Sequence, residues 1–344
     1  VRPMPQDQPP VFPLRDAWQP VLPALPLLAA TALLAWLIDP TEKLAFLLTE
    51  EIRFIAKPQR DYTHLGDMLA YYSLGLVHGL LCLAVIATFI VWLRRLPKRA
   101  AQSGAVFVMG VLLTALLISL FFYDNDNQPL TQLGYKSICM VIAAADLPTN
   151  LVGQGMCFVK GDVSRLSILA WVPTFSGMGA VAFAAAFAYA NTRALPQRND
   201  VDATLWREAL DQCVTALQRS IYLLSAVLVS STLTITLFAH LPVGLVADDT
   251  ELAKAMSTYA TGLSTFWGAL FSVTLIAVFA APALRLLGEA HGVSGTTDDD
   301  RDLRRWLQEH VVLSLKRQLA AVFSLLAPLL VGPLSSLLSS FSGQ

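Results

Sequence analysis

Residues 68–123, MLAYYSLGLVHGLLCLAVIATFIVWLRRLPKRAAQSGAVFVMGVLLTALLISLFFY, decide the fold. Two apolar runs, Met68–Leu93 and Gly104–Tyr123, are separated by the link Arg94-Arg95-Leu96-Pro97-Lys98-Arg99. Each run is at or above the roughly 20 residues an α-helix needs to cross a hydrocarbon core of about 30 Å. Four cations in so short a link resist translocation, so the link is expected on the cytoplasmic side. That placement orients everything before and after it.

Working outward, the whole chain shares this character. Of its 344 residues 55% are hydrophobic and only 14% charged, against about 25% charged in soluble domains; the mean hydropathy is +0.56. The expected fold is an all-α, polytopic transmembrane helix bundle. Seven apolar segments are legible: Val21–Ile38, Met68–Leu93, Gly104–Tyr123, Ser167–Asn191, Ile221–Leu241, Tyr259–Leu287 and Leu319–Phe341. The small-residue step Ala30-Thr31-Ala32 lies inside the first segment, which therefore reads as an uncleaved span rather than a signal peptide.

Residues 1–20 are then a cytoplasmic tail and 21–344 a single integral domain, with outer loops 39–67 and 124–165 and the C-terminus outside. Sixteen of the 24 lysines and arginines fall on the side of the link, as the positive-inside rule requires. Pro328, Gly332 and Pro333 interrupt the last segment, because proline removes an amide donor and clashes with the preceding turn. The alternative is six spans plus a re-entrant C-terminal hairpin, with the C-terminus inside. Pro173 predicts a break near the start of the fourth segment. Alanine and leucine richness with this charge bias fits a bacterial inner membrane.

Amphipathic stretches flank the spans. Glu42–Ile55 is expected along the outer surface. On the inner side, residues 204–219 and 302–317 predict two helices. In the first, Trp206, Leu210, Cys213 and Leu217, continued by Leu224, form a narrow coiled-coil-like seam; the second starts with Trp306. These inner helices are expected to dock a partner.

Among residues able to carry chemistry, Cys139 and Cys157 fall in one outer loop facing an oxidising compartment. A disulfide between them would close a loop of 17 intervening residues, a constraint of about 3 kcal/mol on the chain-entropy account. Cys82 and Cys213 are expected to stay reduced. His78 is the one imidazole well inside a span, and such groups are costly unless paired. It shares a helix face with Tyr71, Gly75 and Cys82, and Gly75 with Gly79 makes a GxxxG pattern. The expectation is a close helix–helix contact with the imidazole hydrogen-bonded across it, or a pH-sensitive contact. The hydroxyl-rich stretch Ser225–Thr236 predicts either helix packing or a polar pathway.

Much is missing. The chain has no Walker loop, HExxH, CxxC or GxSxG, and no carboxylate or cation near the middle of any span. Asp124-Asn125-Asp126-Asn127 lacks the glycine and terminal glutamate of a calcium loop. Asp298-Asp299-Asp300 suits the start of a helix. The net charge of −1 excludes the basic face a nucleic-acid binder needs. No catalytic residue, metal or cofactor is expected. The partners expected are the lipid bilayer, other membrane helices and further copies of the chain. The leading expectation is a non-enzymatic sensor or scaffold subunit that couples outer loops to inner juxtamembrane helices. The alternatives are a channel or passive transporter with a pathway along spans five to seven, and a membrane-disrupting effector such as a defence protein.

Overall fold

The helix at the centre of the fold is the one poorest in large side chains. In the computed structural model, which describes residues 19–26, 28–30, 57–123, 165–196, 201–246 and 251–291, the elements are almost all helical. They are a 3₁₀ turn η1 (Gln19–Ala24), then helices α1 (Lys57–Arg95), α2 (Lys98–Tyr123), α3 (Arg165–Ala194) and α4 (Ala203–His240). A second 3₁₀ turn η2 (Val243–Leu245) follows, and then α5 (Glu251–His291).

Helix α3 packs on α1, α2, α4 and α5. Its residues from Ala184 to Ala190 are buried without interruption, and five of those seven are alanine. Small side chains on every face let four neighbours approach one axis, and packing is the main force between helices in lipid. Gly104 of α2 shows how tight the fit is. A Cβ there would stand 2.8 Å from Leu93 Cδ2 and 3.0 Å from Ala190 Cβ, closer than van der Waals contact allows. Although α1 and α2 are joined by two residues, each packs far more on α3 than on the other.

Three helical stretches, Leu65–Arg95, Thr204–Leu245 and Ala253–Glu289, are long and apolar enough to cross a membrane. Away from their charged ends they expose large apolar side chains, among them Leu69, Leu76, Leu80 and Leu83 on α1 and Ile276 and Leu284 on α5. Hydroxyls such as Thr232, Ser264 and Ser272 are buried between the helices. Apolar outside and hydroxyl inside is a distribution suited to lipid, where interhelical polar groups sit at helix contacts.

Several expectations change. Helix α1 starts at Lys57, so residues 57–67 extend the span as helix rather than belonging to an irregular outer loop. Pro58 stands in the first turn, where its missing amide costs no intrahelical bond. Helix α3 runs unbroken through Pro173. The chain keeps the remaining backbone bonds because unsatisfied peptide groups in hydrocarbon cost several kcal/mol each. The first apolar segment opens as the 3₁₀ turn η1, which contains Pro20 and Pro23. Helix α4 is continuous from Ala203 to His240, so the inner helix at 204–219 and the fifth segment are one rod, in keeping with the absence of a breaker between them in the sequence. It contains neither glycine nor proline and is about 57 Å long at 1.5 Å per residue. The stretch Glu42–Ile55, the loop 124–164, the inner helix at 302–317 and the last apolar segment lie outside the described residues.

Candidate functional site

His78 projects from the middle of α1 and is 3% exposed. Its Nδ1 lies 2.7 Å from Ser230 Oγ on α4. The Ser230 hydroxyl donates its one proton to the Val227 carbonyl at 2.8 Å, so Ser230 Oγ accepts and His78 Nδ1–H donates. This fixes the tautomer by the network around it and leaves Nε2 as the acceptor nitrogen. Nε2 is 3.5 Å from Cys82 Sγ, one turn on along α1, which suits a weak S–H donor. Ser176 of α3 is hydrogen-bonded to the same thiol, and the neighbouring Gly177 would place a Cβ 3.6 Å from Nε2. One imidazole and one thiol thus stand where α1, α3 and α4 meet.

Tyr71, two turns from His78 toward the start of α1, has its ring centroid 5.5 Å from that of Phe238 on α4. With the His78–Ser230 pair, this pins an antiparallel register between the two helices. Gly79 behaves differently from the GxxxG expectation. A Cβ at Gly79 would meet nothing within 4 Å, so this glycine makes no close approach to a neighbour. The tight crossings form elsewhere, at Gly104 and Gly179. Gly75 is buried.

At the other end of α4, Trp206, Leu210, Cys213, Leu217 and Leu224 are all buried in the chain's own core cluster, together with the alanines of α3. Asn191 Nδ2–H donates to the Cys213 carbonyl at 2.8 Å, and the Cys213 thiol reaches the Asn191 carbonyl at 3.5 Å. The seam read from the sequence as a partner-docking face is therefore filled from within, with α3 among its partners. Trp306, Cys139 and Cys157 lie outside the described residues. Cys82 and Cys213 are both free thiols.

Most of the buried hydroxyls of α4 and α5 spend their protons on their own helices, while Ser272 Oγ is buried with no hydrogen-bond partner among the described residues. Thr232, Thr234 and Thr236 donate to Leu228, Ser230 and Thr232 carbonyls at 2.8–2.9 Å, and Ser264 to Ala260 at 2.8 Å. Such back-bonding satisfies a polar group without a water column. Between η1, α2, α3 and α5 lies a small recess bounded by Pro23, Phe107, Tyr189 and Pro282, with room for about one water molecule. Among the described residues no three His, Cys, Asp or Glu side chains come together as a metal-binding group. Cys82 is wholly enclosed, so its thiol meets no diffusing substrate in this conformation.

Sequence reasoning found His78 and its face but not Ser230 or Ser176 as its partners, nor Asn191 as the clamp on Cys213. Ser230 was one of six hydroxyls in a twelve-residue stretch, and nothing local distinguishes it from the others. No protein-family model matches the chain, and neither a curated protein nor a solved structure shows significant similarity to it.

Proposed function

We propose that the protein is a non-enzymatic membrane subunit in which α4 acts as a rod linking the two sides of the bilayer, in the manner of a sensor or scaffold. The observation that carries this is the continuity of α4, from the buried Trp206 at one end to Phe238 and His240 at the other. The rod is gripped near both ends. Trp206 and Leu210 sit in the core at one end, and the Ser230–His78 bond and the Tyr71–Phe238 contact hold the last third of the helix. A rigid helix held this way passes a displacement along its length, because packed elements shift as units rather than bending continuously.

The bundle in this reading has seven spans with the Arg94–Arg99 link in the cytoplasm of a bacterial inner membrane. The own-helix hydrogen bonds of Thr232, Thr234, Thr236 and Ser264 support packing over a conducting path along those helices. Hydrogen exchange on the full chain in nanodiscs tests the rod. Phe238→Ala should raise exchange both near residue 238 and over Trp206–Leu217. Loosening confined to the outer half of α4 would overturn the coupling. Ion or solute flux through liposomes holding the purified chain alone would replace it with the channel reading.

A further inference from the structure

We infer that the turn between α1 and α2 binds the headgroup of an anionic phospholipid at the membrane surface. Helix α1 ends at Arg95 and α2 starts at Lys98, so Arg94, Arg95, Lys98 and Arg99 crowd about a two-residue connection. All four are exposed. Arg94 and Arg95 suit the negative end of a helix, but Lys98 and Arg99 occupy the first turn of α2, where the dipole disfavours cations. That turn contains no acidic residue, and its N-cap position falls to Pro97, which has no side-chain oxygen to offer the first-turn amides. An anion seated here meets both the exposed cations and the first-turn amides of α2.

The same end of the bundle gains a further cation from α3. Gly104 abuts Ala190, and Arg193 stands one turn beyond Ala190, its guanidinium 5.2 Å from the Tyr189 ring centre. Along the hydrocarbon side of the turn, Leu83 and Val91 of α1 and Val106, Met109 and Leu113 of α2 are exposed. Cations above an apolar face match a phosphate-bearing headgroup with acyl chains beneath it, and basic clusters beside membrane helices attract acidic lipids. A soluble phosphate would use the cations and leave the apolar face unmatched. The occupant is therefore lipid.

The inference rests on α1 crossing the bilayer, and spin-labelled lipids added to the full chain in phosphatidylcholine vesicles test the two separately. We expect labelled phosphatidylglycerol to be motionally restricted by the protein about tenfold more strongly than labelled phosphatidylcholine. The preference should shrink several-fold in the Lys98→Gln/Arg99→Gln double variant, which keeps Arg94 and Arg95 in place for insertion. It should survive Arg285→Gln, which removes an exposed cation on α5. Equal restriction of both lipids, or equal loss in both variants, would overturn the headgroup site in favour of diffuse surface charge. Displacement by excess inorganic phosphate would overturn the lipid as occupant. Absence of any restricted lipid would overturn the bilayer-spanning reading itself.

Discussion

His78 Nδ1 donates across 2.7 Å to Ser230 Oγ, joining two helices at positions 152 residues apart in the chain. Neither group is demanding alone. A serine can back-bond to its own helix and a histidine can seek water, but inside an apolar bundle each is the other's available complement. The bond ties α1 to the last third of the unbroken helix α4, which is why it bears on the rod.

A double-mutant cycle on that pair should give a coupling of about 1 kcal/mol, within the range found for interhelical hydrogen bonds in membranes. His78→Ala and Ser230→Ala would each destabilise the protein, and the double variant would lose less than their sum. Unfolding in mixed micelles measures all four corners. Additive losses would show that the two groups contribute independently.

Gly104 and Gly79 should respond oppositely to alanine. At Gly104 the new methyl meets Leu93 and Ala190 at 2.8 and 3.0 Å, an overpacking that costs about 1–3 kcal/mol. At Gly79 the methyl meets open space, so the gain in helix propensity, up to about 1 kcal/mol, should prevail. Thermal midpoints of the two variants in the same detergent decide the matter. A loss at Gly79 would restore the GxxxG contact.

Trp206→Ala should rank among the most damaging single changes. Trp206 is 1% exposed in the main core cluster, and emptying a tryptophan site typically costs about 3–5 kcal/mol. Leu205 beside it is 56% exposed, and its alanine variant should stay within about 0.5 kcal/mol of wild type. A Trp206 variant that folds normally yet loses a bound partner would move the seam back to the surface.

Asn191→Leu removes the amide that donates to the Cys213 carbonyl. The expected loss is about 1–2 kcal/mol, from a net hydrogen bond and the altered packing beside it. Hydrogen exchange should rise first around Cys213, since the clamp is local. Unchanged protection there would mean that packing alone holds the inner end of α4.

The structure repeats some of what the apolar runs announce and reshapes the rest. Lipid imposes a length and a composition on anything that crosses it, so the cores of α1, α4 and α5 are visible as runs of hydrophobic residues. Helix ends are less visible: Lys57–Gly66 continues α1 through polar residues, because once a helix has formed each further residue adds a backbone bond at little extra cost. Pro173 misleads for a related reason, since one lost bond is cheaper than exposing a broken backbone. The seam of α4 was legible as a buried stripe. Its partner was not, for a stripe shows that something covers it and not whether the cover is the chain itself.

By itself the sequence determined a helical, apolar chain with runs of spanning length, a cationic link within the best of them, and an imidazole placed deep in a span. These follow from length, hydropathy and charge, which are properties of segments taken one at a time. Only the tertiary structure decided that alanine-rich α3 is the axis on which the other helices pack, that Ser230 and not another hydroxyl meets His78, and that the inner seam is filled from within. Those are relations between segments far apart in the chain. They depend on which faces meet and at what register, and small differences in packing fix them where segment composition leaves several arrangements open.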